Sequence, residues 1–187
     1  MFFKSMKRSE DDLRSWLDKK GVDALRMIGI KSGQTILDFG CGQGNNTIPA
    51  AKIVGNQGVV YALDKDSRAL SKLMRRAEFE KLNNIRRIIT TGEIQIPLSD
   101  TSVDVVLLYD IFWYFSIDDT RLPNLLLEIR RVLKREGWIS VFPTHIDTWA
   151  LREKIENSGF NFKNKISGSF YHYDKLEKAE IFNFKRD

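Results

Sequence analysis

The chain has 187 residues, of which 42% are apolar and 29% are charged, and its formal net charge is +5. This balance excludes a disordered polypeptide, and no apolar run approaches the roughly 20 residues that a membrane-spanning helix needs. The length fits one domain at 1–187, with a core large enough to fold without a disulfide.

The single cysteine, Cys41, excludes an internal disulfide and a zinc site built from cysteines, so we predict no metal site. The first residues are charged too soon for a signal peptide, so we expect a cytoplasmic protein. The positive charges are scattered except for one cluster, which consists of Arg75, Arg76, Lys81, Arg86 and Arg87. Such clusters are usually solvated surfaces, so nucleic acid is a disfavoured partner.

The order of apolar and polar residues predicts alternating helices and strands. In chain order, the predicted elements are a helical segment at 9–30 broken at Gly21, a strand at 35–37, a helix reaching about 52, a strand at 59–63, a helix at 67–81, strands at 85–89 and 103–108, a helix running through Pro123 to a stop at Gly137, a strand at 138–142, a helix at 147–158, and β-like runs at 160–166 and 179–184. This alternation predicts a doubly wound, mostly parallel α/β sheet with helices on both faces, preceded by a helical cap at 1–30.

A glycine-rich loop, Asp38-Phe39-Gly40-Cys41-Gly42-Gln43-Gly44, follows the first predicted strand. Glycine suits a sharp turn from strand to helix because it adopts positive φ and lets a ligand approach the backbone. The next helix offers unpaired N–H groups to an anionic part of a ligand. A dinucleotide fingerprint needs its third glycine where this chain has Asn45, which disfavours an NAD-linked reductase.

Ligand-type residues also follow the other predicted strands. Because parallel strands of a doubly wound sheet end at one edge, we expect these residues to converge there. The set comprises Asp38, Asp64, Glu93, Tyr109 and Asp110. Asp64 lies about 20 residues beyond Gly42, the spacing at which a nucleoside-binding βαβ unit presents a carboxylate to two ribose hydroxyls.

The pattern Asp38-x-Gly40-x-Gly42-x-Gly44 resembles motif I of the class I S-adenosylmethionine (SAM) dependent methyltransferases. Glu128 and the run 131–137 resemble the helix-to-strand segment of their small "type 11" branch, with Arg-Glu in place of the usual Pro-Gly. The resemblance extends over about residues 30–142. It implies SAM as cofactor and a Rossmann-like, seven-stranded sheet with an antiparallel last strand inserted beside the fifth.

The resemblance also implies a role for each residue of the cofactor site. Asp38, Gly40, Gly42 and Gly44 would hold the methionine moiety, Asp64 the ribose hydroxyls, Lys65 one side of the adenine and Glu93 its exocyclic amine, with Gly92 leaving room. The segment after Glu93 is one residue shorter than is usual in the family. Cys41 and Tyr109 complete the predicted cofactor site, although we expect the Cys41 thiol to pack rather than react because no base is near it in sequence.

Asp110 and His145 are the predicted catalytic residues, because each follows a strand at the ligand edge. Asp110 could orient an amine or act as a base, or instead cap the next turn. His172 is expected on the surface of a loop or strand. The aromatic run 112–115 is interpreted as either acceptor pocket or core.

The predicted activity is methyl transfer from SAM to an unidentified acceptor (EC 2.1.1), with a small molecule favoured and the oligomeric state open. The chain lacks the Asn/Asp-Pro-Pro-Tyr/Phe motif that methylases of nucleobase amines carry after the fourth strand. Two alternatives stay open: a protein or RNA methyltransferase, and a SAM-binding but catalytically silent partner subunit whose pocket is filled by side chains such as Trp113. An aminopropyl transferase is disfavoured because the chain shows no added acidic cluster for a polyamine.

Overall fold

The computed structural model describes the backbone of residues 2–187 and the side chains from Ser9 onward, so Met1 of the predicted cap lies outside the described residues. The helices are α1 (Phe2–Ser15), a π-helical turn (Trp16–Lys20), α2 (Gly21–Met27), α3 (Thr47–Val54) with a 3-10 turn (Gly55–Gln57), α4 (Ser67–Phe79), α5 (Leu122–Val132) and α6 (Thr148–Glu156). The strands are β1 (Thr35–Phe39), β2 (Val59–Asp64), β3 (Ile85–Ile89), β4 (Val103–Tyr109), β5 (Leu133–Phe142), β6 (Phe160–His172) and β7 (Lys175–Arg186).

All seven strands form one sheet in the order β3-β2-β1-β4-β5-β7-β6. The strands β1 to β5 are parallel, and β7 runs antiparallel to both of its neighbours. The strand order reverses between β1 and β4, and ligands of such sheets bind in the crevice at the carboxyl ends of these strands. The predicted fold class is confirmed, including the last strand inserted beside the fifth. Within residues 2–187, no helix is both long and apolar enough to cross a bilayer.

Helices cover both faces of the sheet, as two adjacent residues of β1 illustrate. Ile36 is buried in a cluster with residues of α2, α3 and α4, whereas Leu37 is buried among residues of α5 and α6. Successive side chains of a strand point to opposite faces, so a strand buried on both sides appears as a continuous apolar run. Because helices cover both faces of the sheet, a ligand can approach it at the ends of the strands.

Gly21 lies inside a continuous helical run, so the predicted break at this residue was wrong. A Cβ at Gly21 would lie 2.7 Å from Pro49 Cγ and 2.8 Å from the Trp16 carbonyl oxygen. The glycine is therefore a packing residue that lets α2 approach α3. The Trp16 indole N–H donates to the Asn45 carbonyl oxygen at 2.8 Å, which ties the N-terminal helices to the end of the glycine-rich loop.

The predicted helix stop at Gly137 was also wrong. The helix α5 ends at Val132, and Leu133 already has extended backbone angles (φ −68°, ψ 138°). Gly137 is inside β5, beside an irregularity in the pairing with β4, and a Cβ there would lie 2.9 Å from Leu133 Cδ2. Glycine within a strand often marks such a close approach of the backbone.

The strands β6 and β7 form a hairpin that is longer than the β-like runs in the sequence predicted. They pair from Phe160 opposite Arg186 to His172 opposite Lys175. The connecting turn has two residues with positive φ, Tyr173 (45°) and Asp174 (59°), as in the two-residue turns that match strand twist. The extra length carries the tip of the hairpin to the ligand edge of the sheet.

Candidate functional site

The glycine-rich loop is fastened to the end of β2 by backbone hydrogen bonds. The N–H groups of Gly40 and Cys41 both donate to the Leu63 carbonyl oxygen, at 2.8 and 3.1 Å. Gly40, Gly42 and Gly44 all have positive φ, and a Cβ at Gly44 would lie 2.2 Å from Leu73 Cδ1. The loop therefore needs glycine for its backbone conformation at all three positions and for packing at Gly44.

Asp64 joins this loop to the start of α4. Its Oδ2 accepts from the Gly42 N–H at 2.7 Å, and its Oδ1 accepts from the Asp66 N–H at 2.9 Å. Each carboxylate oxygen has two lone pairs, so both can also accept from a ligand hydroxyl. The side chain is thus held in one orientation and remains able to bind two vicinal hydroxyls.

Asp38 lies below the loop and is only 2% exposed. Thr47 Oγ1 donates to its Oδ2 at 2.6 Å. Burial raises the pKa of Asp38 to about 7, the Thr47 hydrogen bond opposes this shift, and the charges of Asp64 and Asp110 add to it. A cation beside this carboxyl group would favour its ionised form, so the site suits a ligand with positive charge.

A cleft opens at the carboxyl ends of β1, β2 and β4. Its polar lining residues include Asp64, Glu93 and Asp110, and the backbone of Gly40 and Gly92 also lines it. Its apolar wall contains Phe39, Leu63, Ile111 and Phe115. Trp113 lies at the margin with 67% of its surface exposed. Apolar walls and a few polar groups are the usual composition of a site for a small organic ligand.

Lys65 reaches across the cleft to Tyr114. Lys65 Nζ lies 3.9 Å from the centroid of the Tyr114 ring, and the Arg121 guanidinium lies 5.0 Å from the same ring. Hydrogen bonds from Arg121 and then from Lys65 lower the pKa of Tyr114. The side chain predicted to lie along a bound adenine therefore forms a cation–π contact between the two sides of the cleft.

Three residues predicted for the cofactor site, Asp38, Cys41 and Tyr109, have side chains that do not line the cleft. Tyr109 is buried, and its hydroxyl forms a 2.8 Å hydrogen bond with Ser140 Oγ, so its ring belongs to the core of the sheet. Cys41 is also buried, and burial raises the pKa of its thiol. The side chains of Tyr109 and Cys41 therefore pack in the core beside the cleft, which for Cys41 is the position expected from the sequence.

The two predicted catalytic residues adjoin a third group, His172. His172 Nε2 lies 3.1 Å from Asp110 Oδ1, and the ring centroids of His145 and His172 are 5.4 Å apart. The other ring nitrogen, Nδ1, lies 2.6 Å from Glu177 Oε1. His172 is only 5% exposed, so the expected surface position was wrong. The sequence contains no signal for this cluster, because only the full length of the hairpin brings His172 and Glu177 to Asp110.

The backbone is unusual at both predicted catalytic residues. Asp110 has φ of 56° and directly follows β4, and His145 has φ of 62° and lies shortly after the end of β5. Left-handed backbone is uncommon for residues other than glycine, and such conformations concentrate at functional sites. Burial raises the pKa of Asp110, whereas His172, the Thr144 hydroxyl and His145 oppose the shift.

Known proteins resemble this chain in both sequence and structure. A family model described as a methyltransferase domain matches residues 36–137. The probable cobalt-precorrin-6B C(15)-methyltransferase (decarboxylating) of Saccharolobus solfataricus is 44% identical over 77 residues, which are 41% of this chain and 38% of that protein. The demethylmenaquinone methyltransferase of Lactobacillus johnsonii is 29% identical over 160 residues, which are 86% of this chain and 61% of that protein.

The chain thus spans 38% and 61% of the length of these two curated relatives. A solved structure, a SAM dependent methyltransferase from Aquifex aeolicus, matches over 98% of both chains with a TM-score of 0.75 and 20% identity. That likeness concerns the fold, whereas the family match extends over more than half of this sequence. The chain therefore belongs to the class I SAM-dependent methyltransferase family.

Proposed function

We propose that this chain binds SAM in the cleft and transfers its methyl group to a small-molecule acceptor. The observation that carries the proposal is the convergence of Asp64, Glu93 and Asp110 on one cleft beside the glycine-rich loop and the buried Asp38. These residues come from different strand ends, as a nucleoside site at a strand-order reversal requires.

The residues of the cleft fit the parts of SAM. In our proposal, Asp64 accepts from the ribose hydroxyls, Glu93 accepts from the adenine amine, and Leu63 and Ile111 pack against the base. We assign the methionine portion to the backbone of Gly40, which lines the cleft, and of Gly42, where a Cβ would meet no atom within 4 Å. Asp38 supplies negative charge for the sulfonium and ammonium groups.

The bound cofactor supplies a methyl group with a sulfonium leaving group already attached. The protein's part is to hold an acceptor in line with that methyl group and to exclude water. We assign the acceptor to the side of the cleft at Trp113, Asp110 and His145. A carboxylate at Asp110 can orient the acceptor and receive its proton, and His145 borders the same region through its contact with His172.

A small-molecule acceptor is supported by the names of the relatives, which specify a precorrin and a demethylmenaquinone. A catalytically silent subunit would have its acceptor pocket filled by side chains such as Trp113. Trp113 is instead 67% exposed at the margin of an open cleft, which favours an enzyme.

The test measures binding first and transfer second. Thermal unfolding is followed with SAM, its demethylated product or NAD, because a ligand that binds only the native state raises the melting temperature. We expect stabilisation by the first two and none by NAD. Labelled SAM is then incubated with a panel of small acceptors that includes 1,4-dihydroxynaphthalene. Binding without a labelled product from any acceptor would favour the silent subunit, and no stabilisation by SAM would overturn the proposal.

A further inference from the structure

His172 is a buried imidazole with a carboxylate at each ring nitrogen. Asp110 Oδ1 lies 3.1 Å from Nε2, and Glu177 Oε1 lies 2.6 Å from Nδ1. The three residues come from different parts of the fold: Asp110 follows β4, His172 ends β6 and Glu177 is in β7. The tip of the long hairpin is thereby joined to the rim of the cleft.

Both contacts need a proton between the nitrogen and the oxygen, because two lone pairs at these distances repel each other. Hydrogen bonds from Lys175 and His172 lower the pKa of Glu177, so this carboxyl group is ionised at neutral pH. The contact between His172 Nε2 and Asp110 Oδ1 needs a second proton, carried by the ring or by the carboxyl group. When the ring carries it, an imidazolium is paired with two carboxylates, and the hydrogen bonds are charge-assisted.

Asp110 has one oxygen in this network and one outside it. Oδ1 faces His172 Nε2 and accepts from Thr144 Oγ1 at 3.3 Å. Oδ2 has no hydrogen-bond partner among the residues whose side chains the structure describes, and the side chain is 39% exposed in the wall of the cleft. The free oxygen is therefore available to an acceptor.

We propose that His172 and Glu177 are positioning residues that keep Asp110 as an oriented carboxylate, whose Oδ2 receives the proton of a hydroxyl acceptor. This inference rests on the proposed methyl transfer. The charged and titratable groups that face Asp110 are His172 from β6, Glu177 from β7, His145 from the segment after β5 and Asp38 from β1. Of these groups, only the histidines favour its ionised form.

The step balances in atoms and charge. A lone pair of the acceptor oxygen forms a bond to the methyl carbon, and the carbon–sulfur bond breaks with its electron pair remaining on sulfur. The hydroxyl proton moves to Asp110 Oδ2. The products are a methyl ether, a neutral thioether and a protonated Asp110, which later releases its proton to water.

The decisive measurement follows the titration of Asp110 itself and needs no acceptor. Aspartate labelled with 13C at Cγ is incorporated, and the Asp110 signal is identified by its loss in Asp110→Asn. His172→Gln removes the imidazole that opposes the raised pKa of Asp110 while burial remains, so we expect the Asp110 titration to move upward by about 1 to 3 pH units. The control is Glu180→Gln, which removes an exposed carboxylate from the same hairpin. Glu180 pairs with Lys165. If His172→Gln does not fold, His172→Asn replaces it.

Kinetics with 1,4-dihydroxynaphthalene as the acceptor provide the second readout. In His172→Gln we expect the acid limb of the pH profile of kcat/KM to move to higher pH. We also expect kcat to fall about 10-fold to 100-fold, which is a part of the 10²-fold to 10⁴-fold rate acceleration that general acid–base catalysis contributes. Glu177→Gln should also lower kcat, whereas the Kd of SAM should stay within about twofold in both variants.

The two proposals fail in different ways. An unchanged Asp110 titration in a folded His172→Gln or His172→Asn variant that still binds SAM would overturn the inference and leave the proposed function intact. A wild-type protein that does not bind SAM would overturn the proposed function, whatever the titration shows. A merely structural role for His172 would lower the melting temperature without moving either pH profile.

Discussion

The Gly42 N–H donates to Asp64 Oδ2 at 2.7 Å, so the middle of the glycine-rich loop is hydrogen-bonded to the carboxylate that follows β2. The same carboxylate accepts from the Asp66 N–H. One side chain therefore sets the position of two backbone segments at the cleft. The ligand-binding role that we propose for Asp64 is thus coupled to its structural role.

Asp64→Ala should weaken SAM binding by about 1 to 3 kcal/mol, because two hydroxyl contacts are lost. Titration calorimetry measures this as a rise of about 5-fold to 150-fold in Kd. The matched control is Asp66→Ala. Asp66 caps α4 by accepting from the N–H groups of Arg68 and Ala69, so its loss should cost about 0.5 to 2 kcal/mol of stability and leave Kd unchanged. An unaltered Kd in Asp64→Ala would remove Asp64 from the site.

SAM binding should depend on pH through Asp38. The pKa of Asp38 is raised from 3.8 to about 7, so between these values the folded protein holds a proton that the unfolded chain has released. The contribution of this group to the free energy of unfolding therefore falls as pH rises through this window. A cationic ligand favours the carboxylate, so the affinity for SAM should rise between about pH 6 and pH 8.

Calorimetry in two buffers of different ionisation enthalpy will detect the proton that Asp38 releases on binding. Asp38→Asn is the control, because it keeps an acceptor for the Thr47 hydroxyl while removing the titration. The ionisation of SAM itself is the same in both proteins. Equal pH dependence in the wild type and in Asp38→Asn would contradict the assignment.

Two glycines of the loop should respond differently to alanine. A Cβ at Gly44 would lie 2.2 Å from Leu73 Cδ1, whereas a Cβ at Gly42 would meet nothing within 4 Å. Both residues have positive φ. Gly44→Ala should therefore cost about 2 to 4 kcal/mol from overpacking and backbone strain together, and Gly42→Ala about 1 to 2 kcal/mol from strain alone.

Urea unfolding gives both free energies. Adding Leu73→Ala to Gly44→Ala should restore part of the loss, with a coupling energy of at least about 0.5 kcal/mol, because the two side chains compete for one space. Simple additivity of the two substitutions would show that Leu73 does not restrict Gly44.

Asp110→Asn should lower kcat by about 10² to 10⁴, since the amide cannot take up a proton. The Kd of SAM should change much less, because none of the proposed hydrogen bonds to the cofactor comes from Asp110. Asp100→Asn is the matched control, an exposed carboxylate paired with Arg131. Single-turnover measurements with labelled SAM separate the chemical step from binding. A kcat equal to that of Asp100→Asn would exclude Asp110 as the proton acceptor.

The positions of the residues that we propose to hold the cofactor could be predicted from sequence, because the signals for these positions are local. Asp38 and Asp64 each follow a continuous apolar run, and parallel strands end at one edge. The positions of Gly21 and Gly137 could not be predicted in the same way. Glycine usually interrupts regular structure. At these two positions it is needed instead for packing, because any other residue would have a Cβ that collides with atoms of neighbouring residues.

The cluster of Asp110, His172 and Glu177, which we assign to the acceptor side, could not be predicted because its residues meet only through the pairing of β6 with β7. The run 167–172 includes Gly168 and two serines, which have low strand propensity. Pairing with β7 overrides that propensity and extends the strand to His172. A short strand would have left His172 on the surface, as the sequence alone suggested.

The position of β7 between β5 and β6 has a consequence for how the protein is made. On a ribosome, β5 emerges before β7 exists, and its hydrogen-bonding edge stays open until Lys175–Arg186 has been translated. Until β7 pairs with it, β5 is an unpaired strand that can join other chains. The sheet therefore becomes continuous only after the segment that follows β6 has been translated and has inserted between two older strands.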